Sequence, residues 1–194
     1  MAHPQGLGLN KVESPAGLRH PEAMKKAWMP SLLLLLVLWG CRPAATPAAG
    51  PPAIPSLPTQ AQPRLPTIKL WMGAEEMVTE LALTGIQQQT GMMFRTNMPE
   101  NEGMLFVFSV PHQASFWMMN TPLPLSAAYI NPAGVIEEIH DLKPRDTNSV
   151  TAASDRIQYV LETNQGWFKR HNVGVGTRIQ TERGTLRDTF FRQR

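Results

Sequence analysis

Between residues 67 and 180 the apolar positions fall in short runs, many alternating with polar ones, and Gly, Pro, Asn and Asp interrupt them every few residues. That is the pattern of short, half-buried strands. Residues 67–72 read as one strand and residues 77–83 as a second, in which Met77, Thr79, Leu81 and Leu83 share a side. The turn residues at 73–75 make the two a hairpin. Thr84 followed by Gln87 has the spacing of a capping box, so a short helix is expected over residues 85–92. Further apolar runs cover 103–108 and 115–120, separated by Pro111. Residues 127–130 and 135–139 flank Asn131-Pro132-Ala133-Gly134 as the clearest hairpin. Another strand is expected at 157–162, a second short helix at 164–171 capped by Asn164, and a closing strand at 173–180. With no βαβ rhythm, the fold class is mainly β: a compact antiparallel sandwich or barrel with one or two short helices.

Upstream of residue 67 the pattern changes. Residues 24–41, MKKAWMPSLLLLLVLWGC, set Lys25 and Lys26 before an apolar run at 31–38, then Gly40 and Cys41. The run is too short to span a hydrocarbon core of roughly 30 Å as a helix. It resembles a bacterial lipoprotein signal peptide over residues 24–40, with lipid carried on Cys41, although Trp39 stands where a smaller residue is usual. Residues 1–23 then read as an upstream extension to be excluded from fold reasoning. Residues 41–66 hold the lipidated Cys and a Pro/Ala-rich tether with eight prolines in 42–66. The expected address is the cell envelope, lipid-anchored on the periplasmic or outer side of a bacterial membrane, with that membrane as the partner.

Charge refines this division. The whole chain carries 18 Lys and Arg against 15 Asp and Glu, but residues 67–178 carry 8 against 11. The domain is mildly acidic, so no nucleic-acid partner is expected. The excess positive charge lies in the ends, including Arg183, Arg187, Arg192 and Arg194, and residues 181–194 read as a basic, solvated tail. Cys41 is the only cysteine, so a lipid on its sulfur leaves no disulfide and no thiolate chemistry.

The segments GMMFRTNMPENEGMLFVF (91–108), SFWMMNTPLPLSAAYI (115–130), GVIEEIHDLKPRD (134–146) and QYVLETNQGWFKRHNVGVGTRI (158–179) occur in the order and spacing of a known family. Over residues 67–180 the chain resembles domain-of-unknown-function family 192. The resemblance implies a compact, mainly β fold with one or two small helices and brings no established activity. Two positions depart from it: Met119 stands where the family usually has lysine, and Ser126 where an aspartate is common. A mechanism built on that Lys–Asp pair is unavailable to this chain.

Candidate ligand-binding residues are Arg95, Trp117, Asn120, Thr121 and His140. The segment at 116–121 combines an aromatic ring, a polar Asn-Thr pair and backbone bent by Pro122, the mixture that pockets use. Each residue also has a structural reading: Trp117 and Trp167 as core residues, Asn120 and Thr121 as turn formers, Arg95 as the ion-pair partner of Glu102, and His140 as a strand-end residue. Met92, Met93, Met98, Met104, Met118 and Met119 crowd into 28 residues. Core packing accounts for them better than soft-metal binding, which favours Met-x-Met repeats. With no His-x-His, H-E-x-x-H or nucleophile elbow, no metal and no cofactor are expected. The leading expectation is therefore a non-enzymatic binding or envelope-accessory module whose ligand or protein partner the sequence does not name. The alternative is an enzyme acting on a cell-envelope glycan through His140, Asp141 or Glu102 as acid or base.

Overall fold

The computed structural model describes residues 57–192. The expected extension, signal peptide, lipidated Cys41 and first part of the tether lie outside the described residues. Ten strands and three short helices follow one another among those residues. Eight strands form one mixed sheet in the order β10-β9-β1-β2-β3-β8-β5-β6.

β1 (Thr67–Met72) and β2 (Glu75–Ala82) form the expected hairpin, with Gly73 at φ 69° making the turn. In β1 the alternation is clean, since Ile68, Leu70 and Met72 are buried. α1 (Gly85–Thr90) begins at Thr84, whose hydroxyl accepts from the Gln87 N–H while the Gln87 side chain accepts from the Thr84 N–H. The capping box therefore forms as its spacing predicts. β3 (Glu102–His112) then pairs with β2 in parallel. Parallel neighbours require a crossover, and α1 with the loop at 91–101 provides it.

β3 pairs antiparallel with β8 (Ile157–Asn164), which pairs with β5 (Leu125–Ile130), which pairs with β6 (Ile136–Leu142). The sheet is thus mixed, where an antiparallel arrangement throughout is expected from sequence. It is not closed into a barrel: β10 and β6 do not pair, and the segments before β6 and before β9 are linked by an isolated bridge between Val135 and Arg178. β4 (Ser115–Phe116) and β7 (Val150–Thr151) form a separate two-stranded ribbon.

Both faces of the large sheet are buried. One face carries Leu70, Leu105, Ile130, Tyr159 and Leu161, with Trp167 from the helix after β8 in the same core. The other carries Met104, Phe106, Leu125, Tyr129, Val160 and, from the covering loops, Met92 and Met118. Consecutive apolar residues such as Met104–Leu105–Phe106 in β3 and Val160–Leu161 in β8 supply the two cores alternately. Met92, Met93, Met104 and Met118 are all buried, which is the packing role expected of them.

Four sequence expectations need correction. Only Ser115 and Phe116 of the 115–120 run are strand, because Met119 and Asn120 turn the chain, with Asn120 at φ 56°. Asn164 does not cap α2 (Trp167–Arg170); Gly166 in the left-handed region precedes that helix, and the Asn164 amide instead donates to the carbonyls of Met98 and Pro99. The closing strand contracts to β9 (Ile179–Thr181). The end of the chain is folded: β10 (Gly184–Thr185) and α3 (Leu186–Phe191) follow, with Leu186 fully buried and Phe190 and Phe191 against Tyr159.

The last part of the tether is also structured. Gln62 donates to the carbonyls of Gln87 and Gly91, the Leu65 N–H donates to Glu80, and the Pro66 carbonyl accepts from Leu81. The folded unit begins near Gln62.

Candidate functional site

The face of the sheet covered by the crossover holds a cavity of about 220 Å³. At roughly 30 Å³ per water, that is the volume of about seven waters, suited to a small molecule. Its buried surface comes from Met92, Met93, Phe106, Thr121 and Glu162, and its rim from the exposed Gln89, His112, Ser115 and Trp117. β3 contributes Phe106 and Phe108, β8 contributes Glu162, and the end of α1 and the turn after it contribute Gln88–Met93. The β4–β7 ribbon brings Phe116 over the sheet, with its ring nearly perpendicular to Phe106 at 4.9 Å and to Phe108 at 6.4 Å. Gly91, at φ 46°, lets the crossover turn close onto Phe106, for a Cβ there would sit 3.2 Å from the ring.

Among the described residues, Glu162 is the only carboxylate lining the cavity, and it is 4% exposed. Its neighbours in register are Met104 on β3 and Ala127 on β5, neither of which can bond a carboxyl. Its Oε2 has no hydrogen-bond partner. Burial without compensation disfavours the charged form and pushes the Glu162 carboxyl up to about 8. Among the described residues, no Lys or Arg lines the cavity. One strand beyond Met104, and so about 10 Å from Glu162 across two strand spacings, lies Glu80. Arg95 donates to both Glu80 oxygens at 2.6 and 2.8 Å. Burial opposes the ionisation of Glu80, but the bonds from Arg95 and the Leu65 N–H outweigh it and hold its carboxyl below the ordinary value. On the other flank the buried Tyr129 hydroxyl donates to the Val150 carbonyl at 2.7 Å. Burial and the negative charges of Glu162 and Glu138 push that phenol above its usual range.

The model of the family DUF192, described as uncharacterized ACR, matches residues 68–181, more than half of the chain. The chain belongs to the DUF192 family. Two solved structures resemble this DUF192 domain. One, from Sinorhizobium meliloti and described as "a putative transcription regulator", has a TM-score of 0.55 and 32% identity over 59% of this chain and 92% of its own. The other, a protein of unknown function from Novosphingobium aromaticivorans, has a TM-score of 0.54 and 31% identity over 59% of this chain and 83% of its own. No curated protein matches.

Of the residues singled out in the DUF192 sequence, Trp117 and Thr121 line the cavity. Trp117 is 39% exposed at the rim, which corrects its assignment to the core, whereas Trp167 is fully buried as expected. Asn120 is an exposed turn residue whose carbonyl accepts from the Phe94 N–H, and it does not line the cavity. Arg95 pairs with Glu80 and not with Glu102, which pairs instead with Arg64. His140 lies one strand beyond Ala127 on the same face, its ring against Tyr129 at 5.4 Å and its Nε2 2.9 Å from Glu138. Asp141 accepts from Ser126, on the opposite face from Glu162. An aspartate at position 126 in a relative would therefore not reach this cavity.

Glu162 is the residue that sequence reasoning missed. Its signal was present: the single charged residue inside IQYVLETN (Ile157–Asn164), beside the apolar pair Val160-Leu161. Among the described residues, no three His, Cys, Asp or Glu side chains cluster as metal ligands would.

Proposed function

We propose that this DUF192 domain is a small-molecule binding module, with its site in the Glu162 cavity, held at a bacterial cell envelope by lipid on Cys41. The observation that carries the binding reading is a nine-tenths-buried carboxyl, lacking a partner on one oxygen, at the base of an aromatic-lined cavity of small-molecule size. A buried polar atom without a partner costs about 1 to 3 kcal/mol, and a fold tolerates that cost where a ligand can recover it. Apolar walls with one orienting polar group are also the common composition of ligand sites.

The enzymatic alternative draws less support. His140, Asp141 and Glu102 are held by Glu138, Ser126 and Arg64 respectively, and none of the three lines the cavity. The envelope address rests on the order of Lys25-Lys26, the apolar run at 31–38 and Gly40-Cys41.

A thermal-shift screen of chemically diverse small molecules against the full chain tests the site, with Trp117 fluorescence as the local reporter. A ligand at a hundred times its Kd should add about 2.7 kcal/mol of stability. Hits should perturb Trp117 emission and weaken at least tenfold in Trp117→Ala. Hits that ignore Trp117 would move the site elsewhere. For the anchor, Cys41→Ala should abolish incorporation of labelled palmitate, and equal labelling of parent and variant would remove the lipoprotein assignment.

A further inference from the structure

The Glu162 cavity also has a definite electrostatic character, and the inference drawn from it rests on the binding reading above. Among the described residues its one carboxylic acid is the buried Glu162, and no Lys or Arg lines it. Arg95, which reaches that face at Glu80, is committed to both of its oxygens. Phe116 meets Phe106 at 87° and Phe108 at 76°, so its ring forms a wall turned from theirs, and Trp117 stands exposed at the mouth. Aromatic rings set around a buried carboxylate attract a positive charge twice over, through the ring quadrupoles and through direct pairing, and water exclusion strengthens both. An anionic ligand would find no Lys or Arg to hold it and, above about pH 8, a like charge at Glu162.

We propose that the occupant is a small organic ammonium ion, its cationic head at Glu162 and its apolar substituents against the phenylalanine and tryptophan rings. The volume, near that of seven waters, admits a methylated or primary ammonium with a short chain and excludes a polymer. Because an empty site keeps Glu162 protonated up to about pH 8, the cation must displace a proton on entry. Affinity should therefore rise about tenfold per pH unit on approaching pH 8 and level off above it. The other titratable or charged groups facing Glu162 are His112 on β3, Tyr129 on β5, Glu138 and His140 on β6, and the paired Glu80 and Arg95. The lining residues of α1 and its following turn are uncharged.

The test is calorimetric titration of the full chain with choline, with its uncharged isostere 3,3-dimethylbutan-1-ol, and with propionate, between pH 6 and 9. Choline should bind at least tenfold more tightly than the neutral isostere at pH 8.5, and propionate should not bind. Glu162→Gln, which keeps the shape and every other titratable group, should lose at least tenfold in choline affinity and the pH rise with it. Phe116→Leu should weaken choline more than it weakens the isostere. Equal or tighter binding of the isostere, binding of propionate, or unchanged choline affinity in Glu162→Gln would each overturn the ammonium inference. Absence of choline binding at pH 8.5 would overturn it as well. If hits from the diverse screen still report through Trp117 in those cases, the cavity remains a binding site and only the ligand class falls.

Discussion

At the residue scale, Glu162 makes stability depend on pH in an unusual direction. The unfolded chain releases this proton near pH 4.5 and the folded one near pH 8. Between those values the folded state holds more protons, so stability is full below the window and falls as pH rises through it, by up to about 1.4 kcal/mol per unit. Thermal denaturation of the full chain should show Tm declining from about pH 5 to pH 8, and Glu162→Gln should flatten that decline. Glu80 and Glu138 act oppositely, since burial is outweighed at both by hydrogen bonds that depress their carboxyls; what they contribute is lost on the acid side. The two tryptophans diverge as well. Trp167 is enclosed, with its ring stacked on His171 at 4.3 Å and perpendicular to Phe168, so Trp167→Ala should cost about 3 to 5 kcal/mol in chemical denaturation. Trp117→Ala should cost less than about 1 kcal/mol, because the ring is over a third exposed. The local sequence points the wrong way: Trp117 lies beside Phe116, Met118 and Met119, and Trp167 lies between Gln165-Gly166 and Lys169-Arg170, yet the turn at Met119–Asn120 leaves Trp117 at a rim.

At the scale of elements, the sequence discloses what local chemistry decides. The hairpin at Gly73, the capping box at Thr84 and the hairpin across Asn131–Gly134 are each set by side chains within a few residues, and each forms. The parallel β2–β3 pairing is not local, since residues 83–101 intervene and no periodicity encodes which edge β3 joins. The Arg95–Glu80 pair was hidden for the same reason: Glu102 is nearer in sequence, but the crossover brings Arg95 back over β2. With both side chains nearly buried, Arg95→Ala should cost about 3 to 5 kcal/mol by leaving Glu80 charged and half-satisfied, and the loss should shrink as pH falls and Glu80 protonates. β3 meets β8 at a tight point, where a Cβ on Gly103 would lie 2.7 Å from the Glu162 carbonyl and 2.9 Å from the Met77 sulfur. Gly103→Ala should therefore destabilise the sheet by more than about 1 kcal/mol, and hydrogen exchange of β3 and β8 amides should report it.

For the molecule as a whole, the mainly β class was readable from short strands and frequent turns, while the limits of the folded unit were not. Arginine-rich composition after Gln180 suggests solvent, but Leu186, Phe190 and Phe191 supply an apolar stripe that caps the core beside Tyr159. Truncation after Gln180 should lower Tm by several degrees, with Leu186→Ala alone accounting for about 2 to 5 kcal/mol. The opposite limit carries a mechanical consequence. Gln62, where the proline-rich stretch meets the domain, grips the carbonyl of Gly91, and Gly91 is itself part of the cavity wall. A pull on the chain ahead of Gln62 therefore loads that wall before it reaches the sheet. Tension on the chain ahead of Gln62 and occupancy of the cavity act on the same few backbone atoms, so the force needed to peel residues 62–66 away should differ between the empty and the filled protein.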